Sequence, residues 1–348
     1  MLLLTESVIS TILTTLTPPQ FSHIQDSLDS ALASLTHQRS SPPDSNNVKF
    51  HQPPRIHFTT PDSATTLVMP SSDSTLTAVK TVATSPGRPP LGAVTLFSPV
   101  GELQAVLNAA ALTGFRTALV TSCALRYAIR TGLWREPEDG GAKVVVFGSG
   151  TQAYWHTLLV VRTTKVGRVT LVNRGRERAE EAGRSWLREV GVDTEVVVQE
   201  GNDRYEKDLA RALGEADVLI GTLPCAEPLF GYELLKGREG RFVGLIGSYK
   251  PSMKEVDTET LLSGGKVLVD SVEDSLIESG EIIAAGLGKE QLIELGAALG
   301  DKEPPSGIGK KGNVVFKCVG GALQDHTVAK AVVELAEQLG KGARIDDF

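Results

Sequence analysis

The chain has 348 residues, 41% of them hydrophobic and 22% charged, with a formal net charge of -7. That length suits about two domains, and the composition is that of a globular protein able to bury its own core. The mild acidity argues against a nucleic-acid binder, although a local basic pocket remains compatible with it.

The opening MLLLTESVIS has an apolar tip but no basic stretch and no long apolar run, so it reads as neither signal peptide nor membrane span. A short strand is expected there, then one or two helices to residue 36, with Thr5 or Ser7 as N-cap and a break at Pro18-Pro19. Residues 37–54, rich in Ser, Pro and Asn, read as a surface loop. From 55 to 97, RIHFTT, TTLVMP, LTAVKTVAT and GAVTLFS predict a mostly antiparallel sheet. Residues 102–132 predict two apolar helices meeting near Thr113-Gly114, and PEDGG at 137–141 is a break.

The rhythm then changes. AKVVVFG, RVTLVN, TEVVVQE and DVLIGT are apolar strands, separated by the helical TQAYWHTLLVVRTT, RERAEEAGRSWLREVG and DRYEKDLARALGEA. GRFVGLIG and KVLVD are further strands. This alternation predicts an α/β fold with a doubly wound parallel sheet covered on both faces. After residue 300, GNVVFKCVG is a strand and GALQDHTVAKAVVELAEQLGKG a long amphipathic helix. Cys123, Cys225 and Cys318 are odd in number and far apart, so no disulfide framework is expected and a reducing, cytoplasmic location is the simplest reading. The six histidines show no metal-ligand spacing.

The segment from Val144 to Ala153, VVVFGSGTQA, fits G-x-G-x-x-A between a strand and a helix. Gly148 permits the tight turn, Gly150 lets backbone approach a diphosphate, and Ala153 allows helix to pack on strand. Ser149, Thr151 and Gln152 complete a loop whose amides face the phosphates at a helix N-terminus. About 20 residues on, where an NAD site usually carries an acid for the ribose hydroxyls, stand Asn173 and Arg174, with Arg176 and Arg178 nearby. Arginine clamps a 2′-phosphate that a carboxylate would repel, so NADPH is expected rather than NADH. A solvated basic turn would read the same way. Thr222-Leu223 and Gly247-Ser248-Tyr249 follow later strands, where the ligand crevice of such a sheet lies; Thr222 suits a cofactor contact or a plain loop equally.

Taken in order, Pro54-Arg55, Met69-Pro70, Val79-Lys80-Thr81, LTGFRTA at 112–118, FGSGTQAYWH, Ile246-Gly247-Ser248, Lys254-Glu255-Val256-Asp257, Val269-Asp270-Ser271 and Val315-Phe316-Lys317 resemble the ornithine cyclodeaminase/mu-crystallin family. The resemblance runs from about residue 50 to the C-terminus and rests on the ordered set rather than on any one piece. It implies a Rossmann domain, here 126–312, and a second α/β domain for substrate binding and dimerisation, here 1–125 plus 313–348. It implies an active site between the domains and a homodimer. It also implies that Arg55, Lys80 and Arg116 hold a substrate carboxylate. Arg116 lies in an apolar helical stretch, where an unpaired guanidinium would be costly.

The family's cyclodeaminases carry a catalytic aspartate where this chain has Tyr249, which cannot serve as a carboxylate base near neutral pH. Mu-crystallin-like members also lack it. The expected function is therefore NADPH-dependent reduction of a small carboxylated imine, with solvent, Lys80 or Tyr249 as proton donor. The alternatives are ornithine cyclodeamination or amino-acid dehydrogenation, and a crystallin-like protein that binds coenzyme and a small ligand without catalysis. By resemblance Asp325 is a position near the cofactor; stabilisation of a helix dipole accounts for it equally well.

Overall fold

The computed structural model describes residues 1–41, 48–61, 63–85, 87–301, 303–309 and 312–347. The chain forms two compact units, Met1–Arg116 with Gly320–Phe348, and Thr117–Val319.

The first unit begins with β1 (Leu2–Leu4), α1 (Glu6–Thr14) and α2 (Pro18–Ser40). Thr5 caps α1 by accepting the Val8 N–H. Pro18 and Pro19 start α2, because a first-turn residue has no helical use for an N–H. Gln20 accepts the Thr17 N–H at 2.9 Å and ties down the entry. The helix runs on to Ser40, past the expected stop at 36, because Leu28, Ala31, Leu32 and Leu35 keep its buried stripe in phase and His37 and Arg39 suit its C-terminal dipole. Of the expected 37–54 loop, residues 42–47 lie outside the described residues. The chain beyond them is tied back to the helix: Gln38 donates to the Phe50 carbonyl at 2.7 Å and accepts the Lys49 N–H at 2.8 Å.

Next come β2 (Ile56–Thr59), β3 (Thr65–Ser72), β4 (Thr77–Thr84), β5 (Leu91–Phe97), β6 (Leu103–Asn108) and α3 (Ala109–Arg130). The strands β2 to β6 pair antiparallel in succession, as expected for 55–97. The helical expectation for 102–108 is corrected: ELQAVLN buries Ala105 and Leu107 alternately and pairs with β5 on one edge and β1 on the other. The two helices expected around Thr113-Gly114 are one. A glycine inside a helix costs about 1 kcal/mol, small beside the burial of Leu112, Phe115, Leu119 and their neighbours.

The second unit contains β7 (Ala142–Phe147), α4 (Thr151–Thr163), β8 (Val166–Asn173), α5 (Arg176–Ser185), α6 (Leu187–Val190), β9 (Asp193–Val198), α7 (Tyr205–Glu215) and β10 (Val218–Gly221). It continues through β11 (Phe242–Leu245), α8 (Thr258–Leu261), β12 (Val267–Val269), α9 (Val272–Glu278), α10 (Gly280–Ala284), β13 (Leu292–Glu294), α11 (Leu295–Gly300) and β14 (Val314–Lys317). Its eight strands are parallel, in the order β13-β12-β14-β11-β10-β7-β8-β9. The order reverses between β7 and β10, and ligands of such sheets bind outside the strand ends at that point. The apolar β14, expected with the other domain, fills the gap between β11 and β12. A fully buried strand must pair its backbone N–H and C=O groups, and β11 and β12 supply those partners on its two edges. The two compact units meet at 116/117 and 319/320, where the sequence reading drew its domains at 125/126 and 312/313.

The chain then returns to the first unit as α12 (Ala322–Gln338) and β15 (Ala343–Arg344). The latter pairs with β1 to complete a seven-stranded sheet, β15-β1-β6-β5-β4-β3-β2. Helix α12 packs against α2, β3 and β4. Among the described residues no helix is long and apolar enough to cross a membrane.

Candidate active site

In the second unit the turn from β7 into α4 has the shape its glycines suggest. Gly148 adopts φ +110°, donates to the Val172 carbonyl at 2.9 Å, and has no room for a side chain, since a methyl there would meet Thr222 Oγ1 at 2.6 Å. Gly150 is the N-cap of α4 in ordinary extended conformation, and a methyl there would meet nothing within 4 Å. No side chain caps α4, so the first-turn amides around Thr151 and Gln152 face an open space. Gln152 Oε1 is buried without a hydrogen-bond partner. The open space at Gly150 and the uncapped helix N-terminus together fit a diphosphate group.

Around this cradle, Asn173 at the end of β8 is buried; it donates to the Gly175 carbonyl at 2.7 Å and accepts from Ser149 Oγ at 3.4 Å. It thus braces the glycine loop. Arg174 and Arg178 are exposed beside it, with no salt bridge to either among the described residues. Thr222 donates its hydroxyl to the Phe147 carbonyl at 2.6 Å, clasping β10 to β7, and Leu223 lies over Gly148. Gly247 follows β11, and Tyr249, two residues on, is 44% exposed with Lys250 Nζ 5.7 Å from its ring centre. His156 is buried between the Gln152 carbonyl and Thr121 Oγ1, and burial pulls it down to about 4, so it is a neutral packing group.

The first unit gathers the expected cations. Lys80 points from β4 into the interior at 2% exposure and donates to Asp325 Oδ1 at 3.1 Å. Arg116, from α3, brings Nε to 3.3 Å from the same oxygen and donates through Nη1 to Gln324 Oε1 at 2.6 Å. Arg55, half-buried, donates to the Gly320 carbonyl at 2.6 Å and lies near enough to Lys80 to repel its charge. Burial, with Arg116 and Arg55 alongside, brings the Lys80 ammonium down to about 8 against the opposing pull of Asp325. Two buried cations share one carboxylate oxygen, so the group carries excess positive charge in a desolvated place, an arrangement completed by an incoming anion.

Gln324 is the member that sequence reasoning did not single out, and Asp325, expected near the cofactor or as a dipole partner, instead joins the two cations. The signal was present: Asp325 shares a helical stripe with Val328, Ala329 and Val332, and an acid in an apolar stripe needs a buried partner.

Residues 21–340 match the sequence profile of the ornithine cyclodeaminase/mu-crystallin family. The chain belongs to this family. Among its relatives, a Delta(1)-pyrroline-2-carboxylate reductase of Bacillus thuringiensis is 30% identical over 297 residues, 81% of this chain and 85% of the relative. The ketimine reductase mu-crystallin of Mus musculus is 30% identical over 242 residues, 69% of this chain and 68% of the relative. Among solved structures, the Thermococcus litoralis Delta(1)-pyrroline-2-carboxylate reductase in complex with NADH and L-proline superposes with a TM-score of 0.79 at 23% identity, covering 99% of this chain and 100% of that one. At that identity the likeness speaks for the fold, and the two-unit α/β architecture is that of the family.

Proposed function

We propose that this chain is an NADPH-dependent reductase of carboxylated imines, of the pyrroline-2-carboxylate, piperideine-2-carboxylate or open-chain ketimine type. The observation that carries the reading is the buried Lys80–Arg116–Asp325 group, which has a cationic excess suited to one carboxylate. The dinucleotide cradle at Gly148–Gln152 and the imine-reducing relatives support it.

When bound, a reduced nicotinamide supplies a hydride to the carbon of C=N. Arg116 and Lys80 hold the substrate carboxylate, with Arg55 at the rim, and so orient the C=N group. The imine nitrogen gains a proton as the bond is reduced; Lys80, near 8, holds one at neutral pH and is close to the optimum for a general acid there. Tyr249 is the second donor considered. As it stands in place of the cyclodeaminases' aspartate, it disfavours deamination of ornithine. The same reading has the chain acting in the cytoplasm as a homodimer.

The test is steady-state NADPH oxidation with pyrroline-2-carboxylate and piperideine-2-carboxylate at neutral pH. Turnover of either supports the proposal. Tight NADPH binding without turnover of any carboxylated imine would move the chain to the non-catalytic binding class.

Coenzyme choice has its own prediction. Arg174 is exposed beside the cradle, so Arg174→Ala removes a charge-assisted contact from the 2′-phosphate and raises KM for NADPH by about tenfold with little effect on NADH. An equal effect on the two coenzymes would count against NADPH preference.

A further inference from the structure

A buried charge cluster in the second unit is not used by the reaction as described. Lys317 on β14 is 0% exposed and donates to the Ser248 carbonyl at 2.7 Å and to Ser248 Oγ at 2.6 Å. Its ammonium lies 3.8 Å from Glu255 and 3.7 Å from Glu281, both buried. Glu281, on α10, accepts the Ser248 and Ser279 hydroxyls and the Glu255 N–H. Glu255 Oε2 accepts the amides of Gly247 at 2.7 Å and Ser248 at 3.4 Å. Its other oxygen has no hydrogen-bond partner and faces Gly221 at the end of β10, where a methyl would come within 2.5 Å of it.

The cluster therefore sits directly beneath the segments that follow β10 and β11, the two strand ends flanking one side of the switch point. Two carboxylates face one ammonium, so with both ionised the cluster carries one excess negative charge, and with Glu255 protonated it carries none. Burial, with Glu281 adding to it, pushes Glu255 up to about 7 despite Lys317 and the two amides. The other titratable neighbour, Cys225, is driven up to about 11 by burial and by Glu255, so it stays a neutral thiol.

We propose that Glu255, held by Lys317 and Glu281, is a positioning residue for the coenzyme end of the crevice and that its proton occupancy follows the charge of the nicotinamide ring. The inference rests on the coenzyme reading above. The oxidised ring is cationic and the reduced ring neutral, so an ionised Glu255 favours the first and a protonated Glu255 tolerates the second. Glu255 thus releases its proton to solvent when the oxidised coenzyme is bound and retains it with the reduced one.

The test compares NADP+ and NADPH binding from pH 6 to 8 by intrinsic fluorescence, taking the affinity ratio so that effects on the shared phosphates cancel. One linked proton changes that ratio by at most about tenfold per pH unit. The expected result is a rise of about tenfold in favour of NADP+ across the range, since Glu255 loses its proton as the pH climbs. Calorimetry in buffers of different ionisation enthalpy should show proton release with NADP+ binding on the unaltered chain, a readout independent of any variant's folding. In Glu255→Gln the ratio becomes flat. In Glu281→Gln the midpoint moves to lower pH, because the repelling neighbour is gone. A purely structural cluster would weaken both coenzymes alike and leave the ratio unchanged, which overturns the inference while leaving the coenzyme reading intact. Absence of binding by either coenzyme would overturn both.

Discussion

Lys80→Met is expected to lower kcat/KM for pyrroline-2-carboxylate by about a thousandfold or more while leaving NADPH affinity within about twofold. Two losses combine. Removing one cation from a buried carboxylate site is worth about 2–5 kcal/mol, and losing a general acid costs about 10²- to 10⁴-fold. Lys80 lies in the first unit and the nucleotide cradle in the second, so the binding readout separates substrate chemistry from coenzyme capture. The pH profile supplies a further signature. Lys80 is protonated below about 8 and neutral above it, so kcat/KM of the unaltered enzyme falls as pH rises through 8, and the variant lacks that limb. Asp325 keeps Arg116 as a partner at 3.3 Å, which limits the charge left exposed to the interior, and a thermal melt verifies that the variant folds. Near-normal turnover in a folded Lys80→Met protein would remove Lys80 from both of its roles.

Gly150→Val is expected to weaken binding of either nicotinamide coenzyme by more than about a hundredfold in a protein that still folds. Gly150 has φ -90° and ψ -170°, a region that valine occupies readily, and a Cβ placed there touches no other part of the chain. The cost to the fold is that of a poorer N-cap, about 1 kcal/mol. The side chain instead fills the space facing the first-turn amides of α4, which is where a diphosphate belongs. Gly148→Ala is the contrasting control. With φ +110° and Thr222 Oγ1 2.6 Å from the added methyl, it strains the fold itself and is expected to cost about 1–3 kcal/mol of stability. Equilibrium unfolding and coenzyme titration of the two variants distinguish a residue kept small for a ligand from one kept small for the chain. Unchanged coenzyme affinity in Gly150→Val would refute the cradle.

The legible parts of this protein were those whose signals are local. Continuous apolar runs followed by amphipathic helices announce parallel strands, because both faces of such a sheet are buried. The G-x-G-x-x-A turn is legible because its glycines answer to backbone geometry within one loop. Readings failed where neighbours distant in sequence decided the outcome. Leu103–Asn108 is a strand because β1 and β5 present their edges to it, and Val314–Lys317 belongs to the parallel sheet because β11 and β12 leave a gap of one strand.

By itself the sequence determined the doubly wound sheet, the nucleotide-binding turn and the absence of an acid at the end of β8, since each depends on residues within a few positions of one another. Only the tertiary structure decided that Asp325 joins Lys80 and Arg116 across 245 and 209 positions, counted as 325 less 80 and 325 less 116. It alone brought Glu255, Glu281 and Lys317 into one dry cluster. Charges in water are screened and indifferent to such partners, whereas burial removes that screening and makes the partner obligatory.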